Sequence, residues 1–262
     1  MGILNTATDV LRLFAQGRTT LGVATLTEAL DWPASTSSRV LVQMAEVGWL
    51  ERDAVTRQYR LGPLVSELAA AQRQGASTLQ AQAHDALVAV CARTGHAAHL
   101  SVLDGTHSVL VEHFTGFQPL QVMSPVGSRL PAHVTAMGRV LLSRLSDAEF
   151  ELRYAAAPWP LNPPAPPRCP QTLAELRARV AEARRQRFDV AVDEGLPGIA
   201  AVATTLFDPV GRSVIGLAVS FAAQVAATEV ERVRTDLLAT VAPLGERLQD
   251  PWWALAAPNK ET

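Results

Sequence analysis

The sequence has only two cysteines among its 262 residues, Cys91 and Cys169, and they lie far apart in the chain. Neither belongs to a CxxC pair, so the sequence excludes both a disulfide framework and a cysteine-ligated zinc site. Sparse, unpaired cysteine is typical of the reducing cytosol. We therefore expect a cytoplasmic protein.

Long apolar runs and the short motifs of cofactor chemistry are also missing. No stretch reaches the roughly 18 apolar residues that a membrane-spanning helix needs, and the N-terminus lacks the basic and apolar blocks of a secretory signal. The sequence has no P-loop, no GxGxxG, no GxSxG and no internal repeat. We expect no membrane partner, no cofactor and no catalytic residues.

Charge is scarce and evenly balanced. The net charge is −2, and residues 1–61 contain six arginines and six acidic residues. Net charge therefore gives no support for nucleic-acid binding, and any such role depends on where the arginines lie.

Residues 1–62 have the pattern of a winged helix-turn-helix domain. The spacing of apolar residues predicts three helices, at about 5–16, 22–30 and 35–47. The third helix is expected to stop at Gly48, with Val47 in its apolar stripe. Two short alternating runs around a polar turn then predict a β-hairpin. This order of elements offers the third helix to the major groove of DNA.

The rest of the chain predicts a connecting helix over 63–76 and a larger α+β domain over 77–250. Helices are predicted over 78–94, 136–144, 172–186 and 228–248. Strands are predicted over 98–103, 108–113, 120–123, 188–193, 199–207 and 214–221. Helices that flank a mainly antiparallel sheet form a sensor-like α+β domain. Residues 251–262 are expected to be a flexible tail, with the alternative that Trp252 and Trp253 pack back onto the fold. The proline-rich segment 158–170 is expected to be a rigid surface loop.

Three stretches carry a resemblance to a known family. Residues 33–41, 130–142 and 193–208 resemble, in collinear order, three characteristic segments of the IclR family of transcription regulators. The likeness runs from about residue 4 to residue 248. It implies a winged helix-turn-helix domain followed by a GAF/PAS-like effector-binding domain. It also implies dimers through the DNA-binding domains, often paired into tetramers.

The start of the third helix and the hairpin hold the candidate DNA contacts. Hydroxyl and backbone N–H groups at a helix N-terminus can bind phosphates, and an arginine one turn further on can reach a base edge. The candidate DNA-binding residues are Ser35, Thr36, Ser38, Arg39, Arg57 and Arg60. As the alternative, Ser35 is only a helix N-cap and the arginines are solvated surface groups. For Arg52, an ion pair with its acidic neighbours is the favoured interpretation.

The resemblance also implies an effector site in the C-terminal domain. The backbone amides of Ala136 and Met137 would face a polar or anionic group of the effector, because unpaired N–H groups gather at a helix N-terminus. The remaining candidate effector-binding residues are Val122, Leu130, Ile199, Ala201, Ala218 and Ser220. Ala201 and Ala218 stand where the family often has cysteine and serine. The expected pocket is therefore drier and suits an aromatic or alicyclic acid, and the alternative is plain core packing.

Other residue constellations give weaker indications. The sequence has six histidines, but their spacing completes no set of metal ligands, so no metal is expected. Ser220, His133 and Asp193 are the residue types of a catalytic triad, but nothing places a base beside the serine. Two other classes of protein stay open: a small-molecule enzyme with a DNA-binding-like head, and an adaptor that needs no ligand.

The favoured function is sequence-specific transcription regulation under the control of a small-molecule effector. Weak net charge predicts poor binding of one module to DNA, since non-specific affinity comes from neutralised phosphates. We therefore expect the protein to bind double-stranded DNA as a dimer, on a near-palindromic operator.

Overall fold

A computed structural model describes residues 3–15, 17–74, 78–118, 124–155, 166–210 and 213–254. The chain divides into two compact units, Met1–Ala76 and Ser77–Thr262. In the described part of the chain, no helix combines the length and the apolar character that crossing a membrane requires.

The N-terminal unit follows the predicted order of three helices, a hairpin and a connecting helix. Its elements are α1 (Ile3–Ala15), α2 (Val23–Leu30), α3 (Ala34–Glu46), β1 (Leu50–Arg52), β2 (Tyr59–Leu61) and α4 (Pro63–Gln74). β1 and β2 pair antiparallel, and Leu21 forms a further antiparallel bridge to Tyr59. The winged helix-turn-helix prediction is confirmed. Residues 75–76, which were expected to end the connecting helix, lie outside the described residues.

One apolar face of each short helix builds the core of this unit. Val10 of α1, Leu26 of α2 and Leu41 of α3 are fully buried, and they pack with the aromatic side chain of Tyr59. This is the result expected from apolar residues three or four positions apart. Val47 was wrongly included in the stripe: it follows the last helical residue of α3 and is 63% exposed.

The C-terminal unit is a helix-flanked antiparallel sheet. Its elements are α5 (Thr78–Thr94), β3 (Ala97–Asp104), β4 (His107–Phe114), β5 (Arg129–Pro131), α6 (Ala136–Leu142), α7 (Asp147–Ala155), α8 (Leu173–Gln186), β6 (Asp189–Val192), β7 (Ile199–Asp208), β8 (Ser213–Ala222), α9 (Ala226–Arg247) and α10 (Pro251–Ala254). The six strands have the order β5-β4-β3-β8-β7-β6, and each neighbouring pair is antiparallel. The α+β prediction is confirmed.

Some features of this unit differ from the expectations. β5 and α7 were not predicted. The strand expected at 120–123 and most of the proline-rich segment lie outside the described residues. The tail does not start at 251, because α10 packs back onto the fold: Trp253 is 7% exposed and its indole Nε1 donates to the Thr205 carbonyl at 3.3 Å. Gly245 makes room for this indole, since a Cβ there would collide with it.

The two faces of the sheet carry different side chains. Alternation along the strands sends large apolar residues to the face covered by α5 and α9, among them Leu100 and Leu217. The opposite face carries small side chains where it meets α6. Ala203 and Ala218 pack there, and the Met137 sulfur lies over Gly216. Small residues on this face leave space between the sheet and α6.

Candidate DNA interface and effector cavity

The first turn of α3 is open to solvent. Ser35 and Arg39 are exposed, and Thr36 and Ser38 are half-buried. We call these four residues the α3 surface. The interpretation of Ser35 as an N-cap is wrong, because the helix begins at Ala34 after Pro33, and no side chain caps it. The Ser35 hydroxyl is therefore not used to start the helix.

Ser37 separates the α3 surface from the core. It is fully buried, and its Oγ accepts a hydrogen bond from the Thr27 hydroxyl of α2 at 3.1 Å. This bond fixes the orientation of α3 against α2, so that Ser35 and Arg39, one turn apart, share the solvent-facing side. In the part of the chain that the structure describes, Arg39 forms no ion pair.

A tight turn forms the tip of the hairpin. The Asp53 carboxylate accepts the backbone N–H groups of Val55 at 2.9 Å and Thr56 at 2.7 Å. These two bonds, that from Thr56 above all, lower the pKa of the Asp53 carboxyl. Arg57 follows with a positive φ of 56° and an exposed side chain. The turn therefore leaves the Arg57 side chain in solvent.

The ion pair expected for Arg52 forms at Arg60 instead. Glu51 and Arg60 face each other across the hairpin, and the Arg60 Nη2 lies 3.1 Å from the Glu51 Oε1. The hydrogen bond to Glu51 raises the pKa of Arg60. The Arg52 guanidinium lies 5.7 Å from the centre of the Tyr59 ring. Arg60 is thus the most constrained of the candidate DNA contacts on the hairpin.

The space between the sheet and α6 is a cavity of about 100 Å³. Most of the residues proposed for the effector line it: Leu130, Ala136, Met137, Ile199, Ala201, Ala218 and Ser220. Val122, the remaining member of that set, lies outside the described residues. The cavity therefore brings together residues from β5, α6, β7 and β8 that are far apart in the sequence.

His99 of β3 was not among the residues proposed from the sequence, yet it lines this cavity. It is 8% exposed, and its Nε2 is buried without a hydrogen-bond partner in the described structure. Burial, with a smaller contribution from His113, lowers the pKa of His99 to about 4. The imidazole is therefore neutral at pH 7. Alternation along β3 could have indicated which way His99 points, but not that a cavity lies there.

The start of α6 closes one side of the cavity. The Thr135 hydroxyl oxygen accepts the Gly138 N–H at 3.0 Å and so caps the helix. Gly138 is required there, because a Cβ would collide with the backbone of Ala132. Ala136 and Met137, the expected source of free amides, are buried beside the cavity. α6 has only seven residues, so its macrodipole is the sum of few peptide units.

A buried charge network stands behind the cavity. The Arg139 side chain is completely buried and forms ion pairs with Asp189 and with Glu194, whose Oε2 lies 2.6 Å from the Arg139 Nη1. The other Glu194 oxygen accepts from Arg179 at 2.7 Å. Glu194 also lines the cavity. Its carboxylate is held by two guanidinium groups, so the cavity wall contains an acid whose position is fixed and whose charge is balanced.

The residues considered for metal binding do not assemble into a metal site in the described ranges. Across the described ranges, no three His, Cys, Asp or Glu side chains are grouped closely enough to hold a metal ion. His96 is instead paired with Glu229 at 2.7 Å. Both cysteines are buried as free thiols, and burial raises the pKa of Cys169 to about 11.

Family models match both units of the chain. The model described as "Bacterial transcriptional regulator IclR C-terminal" matches residues 72–244, and the model described as "IclR helix-turn-helix domain" matches residues 5–54. The first match alone covers more than half of the sequence.

Individual proteins give the same result. The chain is 27% identical over 217 residues to the HTH-type transcriptional regulator XynR of Escherichia coli K12, covering 82% of this chain and 83% of that protein. It is 26% identical over 223 residues to the HTH-type transcriptional regulator BhcR of Paracoccus denitrificans, covering 83% and 76%.

Solved structures share the fold over nearly the whole length. An IclR transcriptional regulator from Alicyclobacillus acidocaldarius matches with a TM-score of 0.75 at 22% identity, covering 93% of this chain and 97% of that one. An IclR homologue from Microbacterium hydrocarbonoxydans, complexed with 4-hydroxybenzoate, matches with a TM-score of 0.74 at 22% identity, covering 95% and 99%.

Proposed function

The chain belongs to the IclR family of bacterial transcriptional regulators, and from that premise we propose how it reads DNA and which class of effector controls it. It is a regulator with a DNA-binding helix-turn-helix domain and an effector-binding domain, and not an enzyme. The proposal is that two copies bind a near-palindromic operator, and that a compact aromatic or alicyclic acid in the cavity changes their affinity for it.

The outward-facing α3 surface carries the DNA half of the proposal. Ser35 and Arg39 are exposed one turn apart, while Ser37 between them anchors the helix inward. Hydroxyl groups on this turn suit phosphate oxygens, and the free Arg39 guanidinium suits a guanine edge. Arg57 and Arg60 extend the surface along the hairpin, with Arg60 held by Glu51 until it meets the backbone of DNA.

A symmetric dimer follows from the charge balance. Six arginines against six acidic residues in 1–61 give one module little attraction to phosphates. Two modules on one duplex multiply their affinities when their spacing matches the half-sites. We propose that the effector shifts the population of dimer arrangements through the connecting helix, and that the division into residues 1–62, 63–76 and 77–250 reflects these three tasks.

The size and lining of the cavity support a compact, mainly apolar acid. The cavity of about 100 Å³ is of the same order as the engineered cavity of about 150 Å³ that accepts benzene, so its size favours a compact ligand over a large one. Ala201 and Ala218 leave the sheet wall flat and apolar where a ring can lie. One relative of the same fold is known in complex with 4-hydroxybenzoate, an acid of this size and shape.

A DNA-binding titration tests the whole proposal. The purified chain is titrated against the DNA that precedes its own coding sequence, with and without benzoate or cyclohexanecarboxylate. We expect a retarded complex whose midpoint changes in the presence of an acid that binds. No complex with any such fragment would contradict the DNA half of the proposal.

A thermal-shift series tests the effector class on its own. Benzoate and cyclohexanecarboxylate should raise the melting temperature of the C-terminal unit, because a ligand that binds only the folded state stabilises it. Glyoxylate and pyruvate serve as matched small keto acids. Stabilisation by the keto acids alone would overturn the proposed class of effector while leaving DNA binding intact.

A further inference from the structure

Three polar side chains of β3 and β8 lie on the face of the sheet that lines the cavity. In the β3–β8 pairing, Ala97 faces Ser220, His99 faces Ala218 and Ser101 faces Gly216. Residues two apart on a strand share a face, so His99 and Ser101 stand side by side. Ser220 lies diagonally across from His99, at the separation of about 7–8 Å that such neighbours have. All three line the cavity.

His99 is the member of this group with a fully buried side-chain nitrogen that lacks a hydrogen-bond partner in the described residues. Its side chain is more than nine-tenths buried, and its Nε2 meets no partner in the described residues. A buried polar atom left without a partner costs roughly 1–3 kcal/mol. By contrast, Ser108 on the neighbouring strand already donates to the Leu130 carbonyl at 3.3 Å. A ligand that supplies the missing partner to His99 removes this penalty.

The surroundings of His99 favour a neutral partner over a charged one. Apolar burial opposes the imidazolium form, so the site disfavours an ion pair between His99 and a carboxylate. His113 lies directly opposite on β4, and Glu194 lines the same cavity with its charge balanced by two arginines. A neutral imidazole offers one donor and one acceptor nitrogen, and a serine hydroxyl does both. A ligand hydroxyl, which also donates and accepts, matches this group.

We propose that His99 determines effector specificity by hydrogen bonding, through its neutral imidazole, to a hydroxyl group of the effector. The small side chain of Ala218, directly opposite His99 on β8, leaves room in the cavity beside the imidazole for the edge of a ring. This inference rests on the proposed function, because it assigns one polar contact within the same cavity. It narrows the effector from any compact acid to a hydroxylated one.

Calorimetric titration of the full chain with three probes tests the assignment. The probes are benzoate, 3-hydroxybenzoate and 4-hydroxybenzoate. In the unaltered protein, at least one hydroxylated probe should bind about 3- to 10-fold more tightly than benzoate, the size of one net hydrogen bond. In His99→Leu this preference should fall to within about 2-fold, with benzoate affinity preserved, because leucine fills similar space without a polar atom.

Two further variants separate recognition from structure. His99→Gln, whose amide both donates and accepts, should retain part of the preference. His84→Leu is the matched control: His84 pairs with Glu112 at 2.7 Å outside the cavity and should keep the full preference. A ¹⁵N spectrum of the histidine side chains should show His99 neutral at pH 7, with its Nε2 signal shifted by the preferred hydroxylated probe more than by benzoate.

The outcomes are distinct. If the acids bind but the hydroxyl gives no advantage, or if His99→Leu retains it, the assignment of His99 is wrong and the effector class stands. If His99 becomes an imidazolium when benzoate binds, the neutral contact is likewise wrong. If neither benzoate nor a hydroxybenzoate binds the unaltered protein, the proposed class of effector fails and the His99 assignment fails with it.

Discussion

The two units of the chain differ in whether they bury arginine side chains. In the N-terminal unit, Arg39 and Arg57 are exposed, and the Arg60–Glu51 pair lies in solvent. In the C-terminal unit, the Arg139 side chain is fully buried, and Arg144 forms two 2.7 Å bonds to an Asp250 that is completely buried. The described arginines of the N-terminal unit stay in solvent, whereas the C-terminal unit has, beside exposed arginines, two that it uses inside the fold.

The contrast follows from what each unit has to meet. A phosphate backbone is a large, solvated anion, so guanidinium groups that bind it must stay in solvent until contact. A cavity for a small ligand needs walls that do not move, because binding energy is lost when side chains must first be ordered. The buried pairs of Arg139 hold β6 and the segment that carries Glu194 against α6, and so fix the cavity wall.

The largest effect is expected from removing the buried cation. Arg139→Met leaves Asp189 and Glu194 without their shared partner in a dry site, and breaking such a pair costs about 3–5 kcal/mol. The free energy of unfolding of the C-terminal unit, measured by urea denaturation with far-UV circular dichroism, should fall by that amount. Arg177→Met is the control, because Arg177 pairs with Glu151 in solvent and such pairs contribute about 1 kcal/mol or less. Equal losses in the two variants would contradict the structural role of the buried Arg139 network.

A smaller effect, in binding and not in stability, is expected at the DNA interface. Arg39→Ala should weaken operator binding by about 1–3 kcal/mol, the discrimination that one arginine–guanine contact provides. Fluorescence anisotropy on labelled operator DNA measures the loss, and urea denaturation should show no change. Arg12→Ala is the control: Arg12 is exposed on α1, 3.9 Å from Asp9, and is not among the candidate DNA contacts. If both variants bind DNA as the unaltered chain does, α3 is not the recognition helix.

Patterns that are local in the sequence predicted the elements well. The three helices, the hairpin and the main strands follow from periods of 3.6 and 2 residues, which depend only on near neighbours. Val47 shows the limit of this reasoning: it fits the helical stripe, but the helix stops at Glu46 and Val47 falls on the surface. The start of α3 was also displaced, because Pro33, and not Ser35, occupies the cap.

Long-range partners could not be predicted in the same way. Arg139 and Glu194 are 55 positions apart, and only the folded sheet brings them together. The resemblance to the IclR family supplied seven of the residues that line the cavity, because positions in a family pattern reflect contacts between distant parts of the chain. It did not supply His99, whose importance depends on an unpaired Nε2 that only the packed structure reveals. That the ion pair forms at Arg60 and not at Arg52 likewise depends on the register of the hairpin, which places Arg60 opposite Glu51.

The smallest expected effects compare two serines on one helix and test how sharply the α3 surface is separated from the core. Ser37→Ala removes the acceptor of the Thr27 hydroxyl inside the domain, so the free energy of unfolding of the N-terminal unit should fall by about 1 kcal/mol. Ser35→Ala removes an exposed hydroxyl and should change stability by less than about 0.5 kcal/mol. Operator affinity should show the reverse order, falling for Ser35→Ala and staying near its original value for Ser37→Ala. Urea denaturation and anisotropy on the same two variants decide the matter: if Ser35→Ala destabilises the domain and leaves DNA affinity unchanged, that hydroxyl serves the fold and does not belong to the interface.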